Sequence, residues 1–294
     1  MQLIIYLVTY PFFMVVSLLP FKVMYLLSDL FYLILYYLIG YRKKVVQKNL
    51  KLAYPDKTEK ERLDLEKKSY RHFVDIFFEM AKTFTVSKKE LLKRYKFSNT
   101  ELIDRLHNEG RSVIMMSSHY GNWEWSILVP VVTNYTSYAT YTEISNPYFN
   151  KAVIQSRGKF GAIPIEAKKT VPAIIKNSAR KKQALYGLIS DQSPSYKNLN
   201  YFTEFFGVKV PVHIGAETLA KKYDIAVVML DTQQTKRGYY QSEFKMISEF
   251  PKQTESREIT QKYLRETEHQ INRNPSLYFW THNRFKHSNK APKD

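Results

Sequence analysis

Apolar residues dominate the first forty positions. Residues 3–21, LIIYLVTYPFFMVVSLLPF, contain no ionisable side chain other than tyrosine, and residues 23–39, VMYLLSDLFYLILYYLI, carry only Asp29 as a formal charge. At 1.5 Å per residue about 20 helical residues cross a hydrocarbon core, so each run predicts a helix near membrane-spanning length. Pro11 and Pro20 are expected to kink the first run or end it. No basic segment precedes it and no small-residue cleavage pattern follows. The reading is therefore a retained membrane anchor over residues 1–40 rather than a signal peptide. A buried helical hairpin of a soluble protein is the competing reading, but this length of apolar sequence exceeds what a globular helix usually needs.

Behind the anchor the period changes twice. Residues 57–84 start with mixed charge and then place Tyr70, Phe73, Val74, Phe77, Phe78 and Ala81 at helical spacing, which predicts a core-facing stripe. From residue 111 short apolar runs alternate with helical stretches. SVIMMSS, SYATYTE, GAIPIE, QALYGLIS, GVKVPVHI and IAVVML read as strands, while residues 148–160, 170–182, 214–223 and 257–273 read as helices, the last ending near Asn274-Pro275. Such alternation predicts an α/β fold, a mixed or parallel sheet flanked by helices. One domain over residues 41–294 behind the anchor is the simplest division. The tail HSNKAPKD is expected to fray.

Composition sharpens the picture where the pattern is silent. The chain has no cysteine, which removes thiolate nucleophiles and sulfur-ligated metal sites. Lys and Arg number 45 against 27 Asp and Glu, a net charge of +18. Lys22 and Asp29 cancel, so the whole excess lies behind the anchor and attracts anionic partners. Arg42, Lys43, Lys44, Lys48 and Lys51 follow the apolar segment directly. By the positive-inside rule they place residue 41 onward in the cytoplasm, where they suit anionic headgroups. A noncatalytic basic protein at a membrane surface would share this charge. Nucleic acid is disfavoured by the anchor and by the lack of zinc-finger or RNP-like patterns.

The candidate chemistry sits in SSHYGNWEW. His119 and Glu124 are five residues apart, about 140° around a continuous helix, so they converge only if His119 precedes the helix. The Gly121-Asn122 turn supplies that break and puts Glu124 in the first helical turn. A histidine beside a carboxylate can act as a general base toward an alcohol. Ser117 and Ser118 have no shown oxyanion hole, so a serine hydrolase is not the reading. The remaining histidines lack carboxylates at convincing metal-ligand spacing, and no metal is expected.

His-x-x-x-x-Glu after an apolar strand resembles the His-x4-Asp/Glu signature of the glycerolipid acyltransferase superfamily. More closely, the chain resembles the lipid A biosynthesis acyltransferases, the bacterial lauroyl/myristoyl transferases. YRKKVVQKNLKLAYPDK, SRGKFGAIPI, ISDQSP, FFGVKVPVHIGAETLAKKY and NPSLYFWTHNRFK carry the likeness as ordered blocks, from about residue 1 to residue 286. It implies an enzyme of the bacterial inner membrane, facing the cytoplasm and needing no cofactor. Its reaction would transfer an acyl chain from an acyl carrier protein thioester to a hydroxyl of a lipid A precursor. His119 would then be the base and Glu124 would orient and support its imidazole. The resemblance also nominates Arg157 and Asp191: Arg157 to hold an acceptor phosphate or the oxyanion, Asp191 to position Arg157 or another basic group. Acyl-coenzyme A is the alternative donor, and a lysophospholipid or aminolipid the alternative acceptor. Trp280, His282 and Arg284 alternate, so a single extended face could present all three.

Overall fold

The computed structural model describes residues 1–292, and Lys293 and Asp294 of the predicted frayed tail lie outside the described residues. Helix α1 (Gln2–Leu18) contains Pro11 and stops before Pro20, and α2 (Phe21–Leu33) runs on as a π-helical turn at Ile34–Ile39. Gly40, at φ 65°, closes that stretch in the left-handed conformation that glycine tolerates best. α3 (Lys43–Ala53) carries most of the basic flank. Thr58 and Glu61 then form a capping box, each side chain bonding the other's backbone N–H, and start α4 (Glu59–Lys82).

Both N-terminal helices pack along α4. Tyr70, Val74, Phe78 and Ala81 are buried as their spacing predicted, whereas Phe77 remains 43% exposed. Polar ties join the same helices: Ser28 donates to Asp75 at 2.6 Å, and Arg237 donates to both Asp29 and Asp75 at 2.6–2.9 Å. The outward side of the pair stays apolar, with Leu7, Val8, Leu26 and Leu30 among the exposed residues. The 19 residues Phe21–Ile39 are long and apolar enough to cross a membrane. α1 and α2 thus share one buried face with the rest of the chain and leave the other bare.

The remainder alternates strongly. α5 (Lys88–Arg94) leads to β1 (Tyr95–Ser98), α6 (Thr100–Asn108) to β2 (Val113–Ser117), and a 3₁₀ turn at Trp123–Leu128 to α7 (Val129–Val132) and β3 (Thr136–Tyr141). α8 (Pro147–Gly158), β4 (Ile163–Glu166), α9 (Ala167–Ala179) and β5 (Ala184–Ile189) follow. After the hairpin of β6 (Phe202–Phe205) and β7 (Val208–Pro211) come α10 (Gly215–Tyr223), β8 (Ala226–Lys236), β9 (Tyr239–Ser248) and α11 (Glu258–Arg273).

Seven strands form one sheet in the order β1-β9-β8-β2-β5-β3-β4, parallel at every pairing except β8 with β9. The mixed, helix-flanked architecture expected from the alternation is therefore present. β2 is buried along its whole length because helices cover both faces. Ile114 and Met116 point to the side that holds the N-terminal helices, α10 and α11, while Val113 and Met115 point to the side that holds α6.

Three strands, β1, β6 and β9, were not legible as such, and GVKVPVHI does not enter the main sheet: β7 pairs only with β6. Residues 279–286 also depart from expectation. They fold as successive turns, so Trp280, His282 and Arg284 do not share an extended face. Trp280 and Arg284 are buried and bond the carbonyls of Pro275 and Pro211, respectively.

Candidate active site

The site forms where two neighbouring parallel strands end. Ser117 of β2 and Ile189 of β5 are register partners. His119 and Asp191 each lie two residues beyond that pair, so the crevice at the carboxyl ends of the strands brings them together. His119 Nδ1 stands 2.8 Å from Asp191 Oδ1. The Asp191 side chain is 1% exposed and that of His119 20%. Burial works against the Asp191 charge, but the adjacent imidazole and the backbone N–H groups of residues 119 and 191 outweigh it. The carboxyl is held below its ordinary value.

Aromatic rings and the C-terminal turns fix the imidazole. Trp123 packs edge-on at 5.2 Å between centroids, with Phe279 at 5.9 Å. The Phe279 N–H donates to the His119 carbonyl at 3.1 Å, and the Gly121 N–H to that of Leu277 at 3.0 Å. His282 Nε2 accepts from the Ser193 N–H at 3.1 Å. Desolvation pushes the His282 imidazole down to about 4, so it stays neutral.

Gly121 adopts φ 56°, and a Cβ there would sit 3.2 Å from Thr232, so a tight turn and a close approach both demand glycine. Asn122 then caps the 3₁₀ turn, its Oδ1 accepting from the Trp125 N–H at 3.1 Å. This cap places Glu124 in the first turn, as the sequence predicted, but its carboxylate turns toward α8. Arg157, in the last turn of α8, grips it with Nε at 3.0 Å and Nη2 at 2.6 Å. The fork leaves Nη1 outside the pair.

The four nominated residues form two pairs, and the pairing of Glu124 differs from the one expected. Glu124 holds Arg157 instead of the imidazole, and the basic group that Asp191 holds is the imidazole, the second of its two expected partners. The local cause is the direction of the 3₁₀ turn; the long-range cause is the β2–β5 register. Equal two-residue offsets in SSH and ISD are the only sequence signal of the His–Asp pair, and they mean nothing until the strands are known to be neighbours.

An apolar groove of about 320 Å³ runs between α1, α2 and α4, lined by Phe12, Phe13, Phe31, Phe73, Phe77 and Ala81. A second, of about 180 Å³, shares Phe13, Phe77 and Ala81 and ends at Glu124 and Arg157. A smaller cavity of about 70 Å³ lies against the same ion pair, between β2, β3 and β5, with Ser117, Ser137, Thr140 and Gly187 on its wall. No cluster of three His, Asp or Glu side chains suited to a metal occurs among the described residues. The arrangement can accept a proton at His119 Nε2, present a guanidinium at the turn that follows His119 and house an apolar chain.

Residues 2–287 match the family described as bacterial lipid A biosynthesis acyltransferase. Over 214 residues the chain is 25% identical to a lipid A biosynthesis acyltransferase of Haemophilus influenzae, a match covering 70% of this chain. The chain spans 65% of that relative's length.

Proposed function

The chain belongs to the bacterial lipid A biosynthesis acyltransferase family, and we propose that it transfers a fatty acyl chain from a thioester donor to a hydroxyl of a lipid acceptor. An acyl carrier protein thioester is the proposed donor and a lipid A precursor the proposed acceptor. The observation that carries this reading is an imidazole held through Nδ1 by a buried carboxylate and packed against Trp123, whose neighbour Glu124 forms with Arg157 the ion pair on which an apolar groove ends.

Asp191 keeps the proton on Nδ1 and leaves Nε2 as the base. As the acceptor oxygen attacks the thioester carbonyl, its proton passes to Nε2 and a tetrahedral oxyanion forms. Arg157, through Nη1, stabilises that oxyanion or holds an acceptor phosphate. Collapse breaks the carbon–sulfur bond, and the thiolate leaves with the proton from the imidazolium. No acyl-enzyme is formed. Glu124 acts through Arg157, whose guanidinium it aligns.

The groove along α4 takes the hydrocarbon, and the bare faces of α1 and α2 rest in the inner leaflet of the bacterial inner membrane. The crevice then faces the cytoplasm. The positive charge behind residue 40 draws in an acidic carrier protein and anionic lipid. The test is an acyl-transfer assay with the purified chain, offering carrier-protein and coenzyme A thioesters against lipid A precursor, lysophospholipid and aminolipid acceptors. A product of one acyl increment on the lipid A precursor is expected. Label confined to a glycerolipid or aminolipid overturns the acceptor assignment, and no transfer with any pair overturns the reaction.

A further inference from the structure

Glu79 is fully buried in α4, away from the reacting groups, yet three side chains converge on it. Tyr25 of α2 donates to Oε1 at 2.6 Å, Asn122 Nδ2 to Oε2 at 2.6 Å, and Tyr240 of β9 to the same carboxylate at 3.0 Å. Asn122 has both ends committed: its amide nitrogen to Glu79 and its oxygen to the cap of the turn that carries Trp123, Glu124 and Trp125. The same stretch of α4 receives the Trp125 indole N–H, at the Thr83 hydroxyl (3.2 Å) and the Glu79 carbonyl (3.4 Å). Trp123 lies against His119, and Glu124 holds Arg157.

From this geometry we propose that ionised Glu79 is a positioning residue for the site: it fixes the Asn122 amide, and through it the turn that orients Arg157 and walls the imidazole. The proposal deepens the acyl-transfer reading and rests on it for its kinetic consequence. A charged acceptor binds the amide N–H more strongly than a neutral one does. Only an acceptor can satisfy Asn122 Nδ2, whereas the two tyrosine hydroxyls can reverse their roles. Protonation of Glu79 therefore weakens the bond that holds the turn.

Burial, followed by the charge of Asp75, pushes the Glu79 carboxyl up to about 7, while the three donors favour its ionised form. The charged and titratable groups around it are Tyr25 from α2, Asp75 on α4 itself, Tyr240 from β9, and Arg94 and Arg237, which act on Tyr25 and Asp75. A carboxyl raised in the folded state favours folding at low pH and loses that contribution as pH rises through about 7. Above that pH the chain keeps this charge at the expense of stability, as expected of a group that serves the site.

The test is Glu79→Gln in the full chain. The substituted amide keeps an oxygen for Asn122 and mimics the protonated acid. Above about pH 7 the variant should turn over about tenfold more slowly, the ratio expected when a charge-assisted bond becomes a neutral one, with acceptor KM little changed and a melting temperature equal to or above that of the unsubstituted chain. Its rate should also lose the acid limb contributed by Glu79. Unchanged kcat, or a fall in activity accompanied by an equal fall in stability, overturns the proposal. A readout independent of turnover is tryptophan fluorescence in a His119→Gln background, which removes the imidazole packed against Trp123. A transition near pH 7 should be present while Glu79 is in place and absent once Glu79→Gln is added; its persistence after that substitution, or its absence from both proteins, overturns the proposal. If no acyl transfer is found while the optical transition follows Glu79, the reaction assignment fails and the coupling of Glu79 to the turn stands.

Discussion

His119 and Asp191, 72 residues apart in sequence, meet because each lies two residues past a register pair of adjacent parallel strands. The carboxylate is buried and the imidazole edge is open, which is the division of labour a general base needs.

This relationship orders the effects of substitution. His119→Ala should reduce transfer by about 10²- to 10⁴-fold, the range of a lost general base. Asp191→Asn, which removes the charge and permits the wrong tautomer, should fall in the same range. The His119/Asp191 double variant should be little worse than either single one, because the two act as a unit. Steady-state kinetics on the four proteins checks this, and full additivity would break the pair.

Arg157→Lys should not rescue Arg157→Ala. A lysine cannot reproduce the two-bonded fork on Glu124 and still present a third nitrogen, so both variants should lose at least about tenfold in kcat. Glu124→Gln should show a smaller loss than Glu124→Ala. If Arg157 holds an acceptor phosphate, its removal should also flatten discrimination between phosphorylated and dephosphorylated acceptors in a competition assay.

Ala81 borders both apolar grooves, so Ala81→Phe should narrow the hydrocarbon path where they meet. Product mass spectrometry should show shorter acyl chains, at a stability loss of about 1–3 kcal/mol from overpacking. Unchanged chain preference would move the hydrocarbon elsewhere.

Acid should destabilise the fold through His72 and His282, whose imidazoles burial pushes down to about 4. The unfolded chain binds these protons near its ordinary value of about 6.5, so their stability contribution is complete above that pH and drains away as pH falls toward about 4. His72 is buried on α4. Melting temperatures across this interval should fall less steeply for His72→Gln, by on the order of 1–3 kcal/mol at the acid end.

Leu26 and Leu30 face outward on α2. Replacing both with Glu should cut flotation with anionic vesicles by more than about tenfold, since burying one leucine side chain is worth about 1.5–3 kcal/mol. The melting temperature should change little, because neither side chain packs in the core.

Local spacing in the sequence carried the apolar N-terminus, the α4 stripe, six of the strands, four later helices and the break that puts His119 before a helix-start Glu124. These are near-neighbour effects of side-chain period and turn chemistry, and they need no knowledge of distant chain. Tertiary structure alone decided that Asp191 pairs with His119, that Glu124 pairs with Arg157, and that a carboxylate on α4 grips Asn122. Each depends on which strands and helices become neighbours, and that is set by the packing of whole faces and by strand register, which no local spacing records.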